Sequence, residues 1–308
     1  MSGAALEAVQ GATCPAVDPV LRPGNGNCGG CGMSTAFQFL ARAREERPLQ
    51  VVIPASCAAV AVGQFPYSAM GVPTILSTFG AASAVATGLA HAARLNGEDT
   101  RVVCWAGDGG TYDIGMASLS GAAERDEDIL YVCYDNEIYG NTGGQRSSAT
   151  PHGAATVNTP RGKGEQKKDV LGIVAAHRVP YAATVSLAHP QDAIRKMRKA
   201  LDLRGFRFLH VLAPCPTGWK SEPALGIELV RLAVRSGLFP VVEIVDGRRT
   251  TINVEPDFSE EALELYLSLQ RRFQRSEISA AELRPAIERN WRDLRARSGR
   301  IVPADREG

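Results

Sequence analysis

The sequence predicts an α/β protein: a doubly wound parallel sheet followed by a C-terminal helical extension. Three observations carry that expectation. Short apolar runs of strand length, with few polar interruptions, alternate with longer helix-like stretches, the pattern of a parallel sheet covered on both faces. Two of those runs end in polar clusters, one glycine-rich and one bearing an asparagine, where open α/β sheets bind ligands. Beyond about residue 222 the composition turns to charged amphipathic segments.

The elements follow in order. "TAFQFLARAREE" reads as a helix that Ser34 is placed to cap, and "LQVVIPA" (49–55) as the first strand. "GAASAVATGLAHAARL" is rich in small residues and suits a helix packed tightly on the sheet. The strand run "RVVCWA" (101–106) leads into glycines, then the helical "GMASLSGAAER", then the strand run "ILYVCYD" (129–135). Residues 140–166 are polar and rich in Gly, Ser and Thr; a loop that long inside a domain is usually functional or mobile. "KDVLGIVAAH" and "PQDAIRKMRKALD" read as helices around the strand run 181–187, and 206–214 is a further strand run. The extension reads as a helix (223–237), a strand (239–247) and two charged helices (259–274 and 279–299). Residues 1–222 are thus expected as the main unit, with 223–308 either a partner-contacting appendage or helices that cap the main unit.

Bulk composition narrows the function. The chain has 308 residues, 44% of them apolar, and a formal net charge of +1, which gives no electrostatic case for nucleic acid or an anionic membrane. No apolar run approaches the ~20 residues that cross a bilayer. The N-terminal stretch lacks the basic and apolar regions of a secretory leader, so a cytoplasmic location is expected. Seven cysteines in such a chain do not suggest a disulfide framework. Cys104 and Cys133 sit inside strand runs and read as small buried hydrophobes. Cys14 has no evident role. The five histidines (His91, His152, His177, His189, His210) are scattered and read as structural or surface groups.

"GDGGTYDIG" begins at Gly107, directly after a strand run, and Asn136 follows the next run, 28 residues beyond Asp108. That gap suits a strand–helix–strand unit whose two strand tips are neighbours. A carboxylate, an amide oxygen and a nearby carbonyl are hard ligands that suit Mg²⁺ completed by phosphate oxygens. Gly107, Gly109 and Gly110 let the backbone approach a phosphate closely, and a helix starting near Ile114 would offer it N–H groups. Neither a P-loop nor a dinucleotide-binding glycine fingerprint is present. The pattern resembles the thiamine-diphosphate signature, in which Asp108 and Asn136 supply side-chain oxygens to Mg²⁺ and Ile138 its carbonyl.

Four cysteines remain. Cys28 and Cys31 form a C-x-x-C in "NCGGCG"; Cys57 and Cys215 each follow a strand run. If the strand ends share one sheet edge, all four can meet beside Asp108. Four soft thiolates suit zinc or an iron–sulfur cluster, and spacing does not decide between them.

Taken together, "CGGCG", "GDGGTYDIG", "LSGAAERDEDILYVCYDNEIYGNTGGQRSSATPHGA", "KKDV" and "LAPCPTGW" resemble the β subunit of the 2-oxoacid:ferredoxin oxidoreductases, the pyruvate synthase family. The resemblance spans most of residues 25–245. It implies a thiamine-diphosphate-binding fold and a [4Fe–4S] cluster on Cys28, Cys31, Cys57 and Cys215. It implies Asn141 near the reacting carbon. It also implies oxidative decarboxylation of a 2-oxo acid with coenzyme A, and an α subunit that supplies the activating Glu and the substrate-binding residues. Further γ and ferredoxin-like δ subunits would carry electrons onward. Two alternatives stay open: a non-oxidative decarboxylase or carboligase subunit, and a zinc-stabilised scaffold subunit. The chain departs from pyruvate-type members at Ala69, Met70, Gly80, Ala81 and Gly140. If these line the site, the pocket is roomier, and branched or aryl 2-oxo acids such as phenylglyoxylate become candidates.

Overall fold

The computed structural model describes residues 18–63, 66–276 and 278–301; Cys14 lies outside them. Its nine strands are β1 (Leu49–Pro54), β2 (Thr74–Ser77), β3 (Arg101–Gly107), β4 (Ile129–Asp135), β5 (Tyr181–Ser186), β6 (Arg207–Leu212), β7 (Val241–Val245), β8 (Arg249–Val254) and β9 (Ser298–Ile301). They form one sheet in the order β2-β1-β3-β4-β6-β5-β7-β8-β9. The six strands from β2 to β5 in that order run parallel. β7 then pairs antiparallel with β5, and β8 antiparallel with β7.

The central strands β3 and β4 are buried along their whole length, which is why their sequences read as unbroken apolar runs. Alternate residues serve two cores. Val51, Ile53, Val103, Trp105, Val132 and Tyr134 pack with α1 (Gly32–Arg44) and α6 (Pro190–Asp202). Val52, Val102, Cys104, Tyr131 and Cys133 face the other layer, where α3 (Ala82–Leu95), α4 (Met116–Glu124) and α5 (Val170–Ala175) lie. Cys104 and Cys133 are therefore the buried small hydrophobes that their setting predicts.

Residues 223–301 do more than add helices. α8 (Gly226–Arg235), α9 (Glu260–Ser268) and α10 (Ala280–Arg297) bury Leu229, Leu263, Ile287 and Trp291 in the same core, and three strands extend the sheet. A capping box between Ser279 and Glu282 starts α10. The sequence reading missed β2, β8 and β9. β2 and β9 have four residues each, and β8 mixes Thr, Asn and Arg with its apolar positions. α1 also begins earlier than predicted: Cys31 occupies its N-cap position, and Ser34, inside the helix, accepts a hydrogen bond from Asn27 Nδ2 at 2.8 Å. Among the described residues no helix is long and apolar enough to cross a membrane.

Candidate active site

Parallel pairing places Gly107 of β3 opposite Tyr134 of β4, so the chain leaves both strands at one sheet edge. Asp108 and Asn136 stand there, both buried. One terminal atom of the Asn136 amide lies 2.9 Å from Asp108 Oδ1 and 2.7 Å from the Ile138 carbonyl oxygen. With the amide oxygen in that place, three oxygens converge, which a cation between them stabilises. With nitrogen there, the amide donates to both. The predicted ligand set is thus brought together without any larger rearrangement than an amide rotation.

Asp108 is held in place by its neighbours. Ser147 donates its hydroxyl to Asp108 Oδ2. Burial, and then the negative charge of Asp135, push the Asp108 carboxyl well above the usual range, against the effect of Ser147. A positive ion at Oδ1 would relieve that cost. Gly109 makes room for an aromatic ring: a Cβ there would lie 2.2 Å from Tyr139. A π-helical turn (Gly109–Asp113) precedes α4, so the regular helix opens at Met116 rather than near Ile114. Asp113 accepts from the Tyr139 hydroxyl at 2.7 Å and from the Ser148 side chain. Two consecutive serines thereby tie the long loop to both aspartates of the glycine motif. The loop is packed in place: buried Lys163 donates to the carbonyls of Thr150 at 2.8 Å and Ser148 at 3.1 Å.

The four cysteines gather beside this edge. Gly26 N–H donates to Ala61 O (2.8 Å), tying the segment before Cys28 to the short helix α2 (Cys57–Ala61). Gly32 N–H donates to Pro214 O (3.0 Å), tying the segment after Cys31 to the approach to Cys215. The contact is close enough that a Cβ on Gly32 would fall 2.7 Å from Pro214 N, and one on Gly30 2.4 Å from Pro223 O. An aromatic column supports Cys57 from below: Phe37 stacks on Trp105 at 3.9 Å, Trp105 on Tyr134 at 6.2 Å, and the Tyr134 hydroxyl accepts from Ala58 N–H at 3.0 Å. Cys28 is exposed; Cys31, Cys57 and Cys215 are half-buried. Burial first, then Cys215 and Cys31, push the Cys57 thiol up to about 12. Burial likewise pushes Cys215 up to about 11, with Cys31 and Cys28 adding to it against the Gly218 N–H. Four sulfurs within electrostatic reach of one another become thiolates only when positive charge joins them. Among the described residues no three His, Cys, Asp or Glu side chains close around a single ion. A four-iron cluster is larger than one ion and takes its thiolates further apart.

Cys215 and Asn136 are joined physically. α7 (Pro216–Trp219) follows Cys215, and its Trp219 Nε1 donates to Asn136 O at 2.9 Å. A Cβ on Gly218 would sit 2.7 Å from Ile138 Cγ2 and 3.2 Å from Cys215 Sγ. Asn141 is exposed beside the cleft, and its backbone N–H acts to lower the Cys57 thiol against the effect of burial. The sequence reading missed the underpinning. Lys167 Nζ bridges Asp135 Oδ2 (2.7 Å) and Glu137 Oε1 (2.8 Å), His210 Nε2 meets Asp135 Oδ2 at 2.7 Å, and Arg272 reaches Glu137 Oε2 at 2.6 Å while lying over the Trp219 ring at 4.3 Å. Although burial acts to raise it, Lys167 and His210 hold the Asp135 carboxyl well below its ordinary value. His210 is accordingly structural.

Two cavities bear on the chemistry. The larger, about 350 Å³, lies between α10 and the sheet; its polar corner of Tyr112, Lys167 and His210 is already paired through Asp135. The smaller, about 20 Å³, is the cleft lined by Cys57, Phe79, Asp108, Asn136, Ile138 and Asn141, among others. We assign the chemistry to the small cleft because the converging oxygens are there. Ala69, Met70, Gly80 and Ala81 do not line it, so the idea that those four enlarge the pocket finds no support within this chain; Gly140 does line it.

Residues 55–211 match the family described as "Thiamine pyrophosphate enzyme, C-terminal TPP binding domain". The chain is 44% identical over 262 residues to the ketoisovalerate oxidoreductase subunit VorB of Pyrococcus horikoshii, covering 82% of this chain and 84% of that one. It is 40% identical over 282 residues to the pyruvate synthase subunit PorB of Methanothermobacter marburgensis, covering 89% and 97%. A solved 2-oxoglutarate:ferredoxin oxidoreductase from Magnetococcus marinus shares the fold, with a TM-score of 0.58 over 70% of this chain and 79% of that one at 24% identity. Fold and site define a thiamine-pyrophosphate enzyme subunit. The chain belongs to the β-subunit family of the 2-oxoacid:ferredoxin oxidoreductases, the pyruvate synthase family, and is one subunit of a multi-subunit oxidoreductase.

Proposed function

We propose that this subunit holds Mg²⁺ and thiamine diphosphate at Asp108, Asn136 and Ile138, and a [4Fe–4S] cluster on Cys28, Cys31, Cys57 and Cys215. The reaction is RCOCOO⁻ + CoA-SH → RCO-S-CoA + CO₂ + H⁺ + 2 e⁻. The observation that carries this reading is the convergence of three oxygens on one point, held by Trp219 against the segment that bears Cys215. When bound, thiamine diphosphate supplies the carbon that attacks the 2-oxo group and retains the electrons left after CO₂ departs. Asp108, Asn136 and the Ile138 carbonyl fix its diphosphate through the cation. Gly107, Gly109 and Gly110 keep the backbone low enough for that approach. Asn141, at the open side of the cleft, orients substrate. Cys57 borders the same cleft, so a cluster held there would take up electrons beside the cofactor, and Cys28 would hold its exposed side.

The chain supplies only part of the site. The reading assigns the carboxylate that activates the cofactor, and the substrate-binding residues, to an α subunit, with γ and ferredoxin-like δ subunits carrying electrons onward. Residues 223–308 are proposed as partner-contacting. A cytoplasmic location fits six described cysteines that are all free thiols. For substrate, relatives named for ketoisovalerate stand slightly nearer than one named for pyruvate, which favours a branched 2-oxo acid.

The test is anaerobic purification with partner subunits, metal and cofactor analysis, and dye reduction across a panel of 2-oxo acids with and without coenzyme A. The expected result is iron, magnesium and thiamine diphosphate in the complex, with coenzyme A-dependent dye reduction fastest on branched acids. Aldehyde release without dye reduction would favour the non-oxidative alternative. Zinc in place of iron, with no thiamine diphosphate, would favour the scaffold. Pyruvate outcompeting every bulkier acid would end the branched assignment alone.

A further inference from the structure

The Asn136 amide has two orientations, and they present opposite atoms to Cys57. With Oδ1 turned toward Asp108 Oδ1 (2.9 Å) and the Ile138 carbonyl (2.7 Å), Nδ2 points at Cys57 Sγ, 4.0 Å away. With Nδ2 turned inward, it donates to both of those oxygens, and the amide oxygen faces the sulfur instead. A cation at the three oxygens selects the first orientation, because it attracts Oδ1 and repels the amide N–H. Without one, the second is favoured: it gives up the long bond that Oδ1 accepts from Ile138 N–H (3.3 Å) but replaces oxygen–oxygen repulsion with two hydrogen bonds. The side-chain N–H that reaches Cys57 Sγ comes from Asn136, so turning this amide changes the contact at the sulfur.

Resting on the cofactor reading above, we propose that Asn136 couples the two sites: a magnesium diphosphate bound at Asp108 swings an N–H onto Cys57 Sγ and raises the reduction potential of the cluster. The physics is direct. Reduction adds one negative charge to a cluster, and a hydrogen bond to a ligating sulfur stabilises that added charge. The cluster therefore becomes a better electron acceptor when the diphosphate site is filled. Through-space charge acts the other way, because magnesium with inorganic pyrophosphate is a net anion and by itself disfavours reduction. The sign of the shift separates the two effects.

The experiment uses the purified complex, stripped of magnesium and cofactor by chelation and checked for retained iron. The cluster's midpoint potential is measured by EPR-monitored redox titration, with and without Mg²⁺ plus inorganic pyrophosphate. The wild type is expected to shift to a more positive potential. Asn136→Asp keeps an oxygen for the cation but has no N–H, and is expected to shift negative instead. A second measurement needs no variant: with asparagine side-chain nitrogen labelled as ¹⁵N, pulsed EPR of the reduced cluster should gain a ¹⁵N coupling when magnesium pyrophosphate is added. A wild-type potential that stays put or falls, or the absence of a new coupling, overturns the proposal alone. A complex without iron, or one that does not bind magnesium pyrophosphate, overturns the cofactor reading and this proposal with it.

Discussion

Asp108 Oδ1 and the Asn136 amide stand 2.9 Å apart at the tips of adjacent strands, although they lie 28 positions apart in the chain. β3–β4 pairing sets that proximity, and Ser147 and Trp219 hold its two ends. Each support can be removed by itself.

Ser147→Ala deletes the hydroxyl that orients Asp108 and leaves both predicted ligand sets intact. Loss of such an outer partner typically weakens metal affinity by about 10–100-fold. Titration calorimetry of Mg²⁺–thiamine diphosphate on the complex should register a loss in that range, with iron content unchanged.

Gly140→Ala places a methyl 3.1 Å from Cys57 Sγ, and Gly218→Ala places one 2.7 Å from Ile138 Cγ2 and 3.2 Å from Cys215 Sγ. Overpacking of this kind costs about 1–3 kcal/mol, here directed at cluster ligands. Both variants should purify with less iron per complex. Gly88→Ala, where no atom lies within 4 Å of the added methyl, is the control and should keep its iron.

Arg272→Met leaves Glu137 buried with Lys167 alone and removes the cation over Trp219. Breaking one arm of a buried ion pair costs about 3–5 kcal/mol. Denaturant unfolding should show a loss of that size, and adding Glu137→Gln should restore part of it. Equal stability of the wild type and Arg272→Met would contradict this description of the Glu137 cluster.

Glu243 gives the acid dependence. Burial acts to raise its carboxyl, but Lys199, Tyr181, Asn253 and Arg195 hold it down to about 2. The folded value lies below the unfolded one, so the stabilisation is complete above the ordinary carboxylate range and is lost as pH falls toward 2. Lys199 and Arg195 are 40% and 51% exposed, so solvent screening reduces the contribution to on the order of 1–2 kcal/mol. Between pH 5 and pH 2.5, roughly, the wild type should lose more stability than Glu243→Gln by that margin. Parallel pH curves would refute it.

Much of this architecture was readable beforehand, and the rest was hidden for physical reasons. β1, β3, β4, β5 and β6 lie in the sheet interior, so apolar runs announced them. β2 lies at one sheet edge, and Ile75 and Leu76 are exposed there, so its four residues leave no such signal. Asp108, Asn136 and the cysteines were visible because glycines and strand ends frame them. Ser147, Lys167, Trp219 and Arg272 were not: each meets its partner across 30 or more residues, and a serine or lysine in a polar loop reads like any turn residue.

The central claim is that a diphosphate site on Asp108 and Asn136 delivers electrons to sulfur ligands held beside it. The most direct measurement is EPR of the anaerobic complex frozen after addition of a 2-oxo acid, for the wild type and for Asp108→Asn with matched iron content. The account predicts a reduced-cluster signal in the wild type and none in Asp108→Asn, while dithionite still reduces both. A reduced cluster in Asp108→Asn of the same intensity as in the wild type would contradict it.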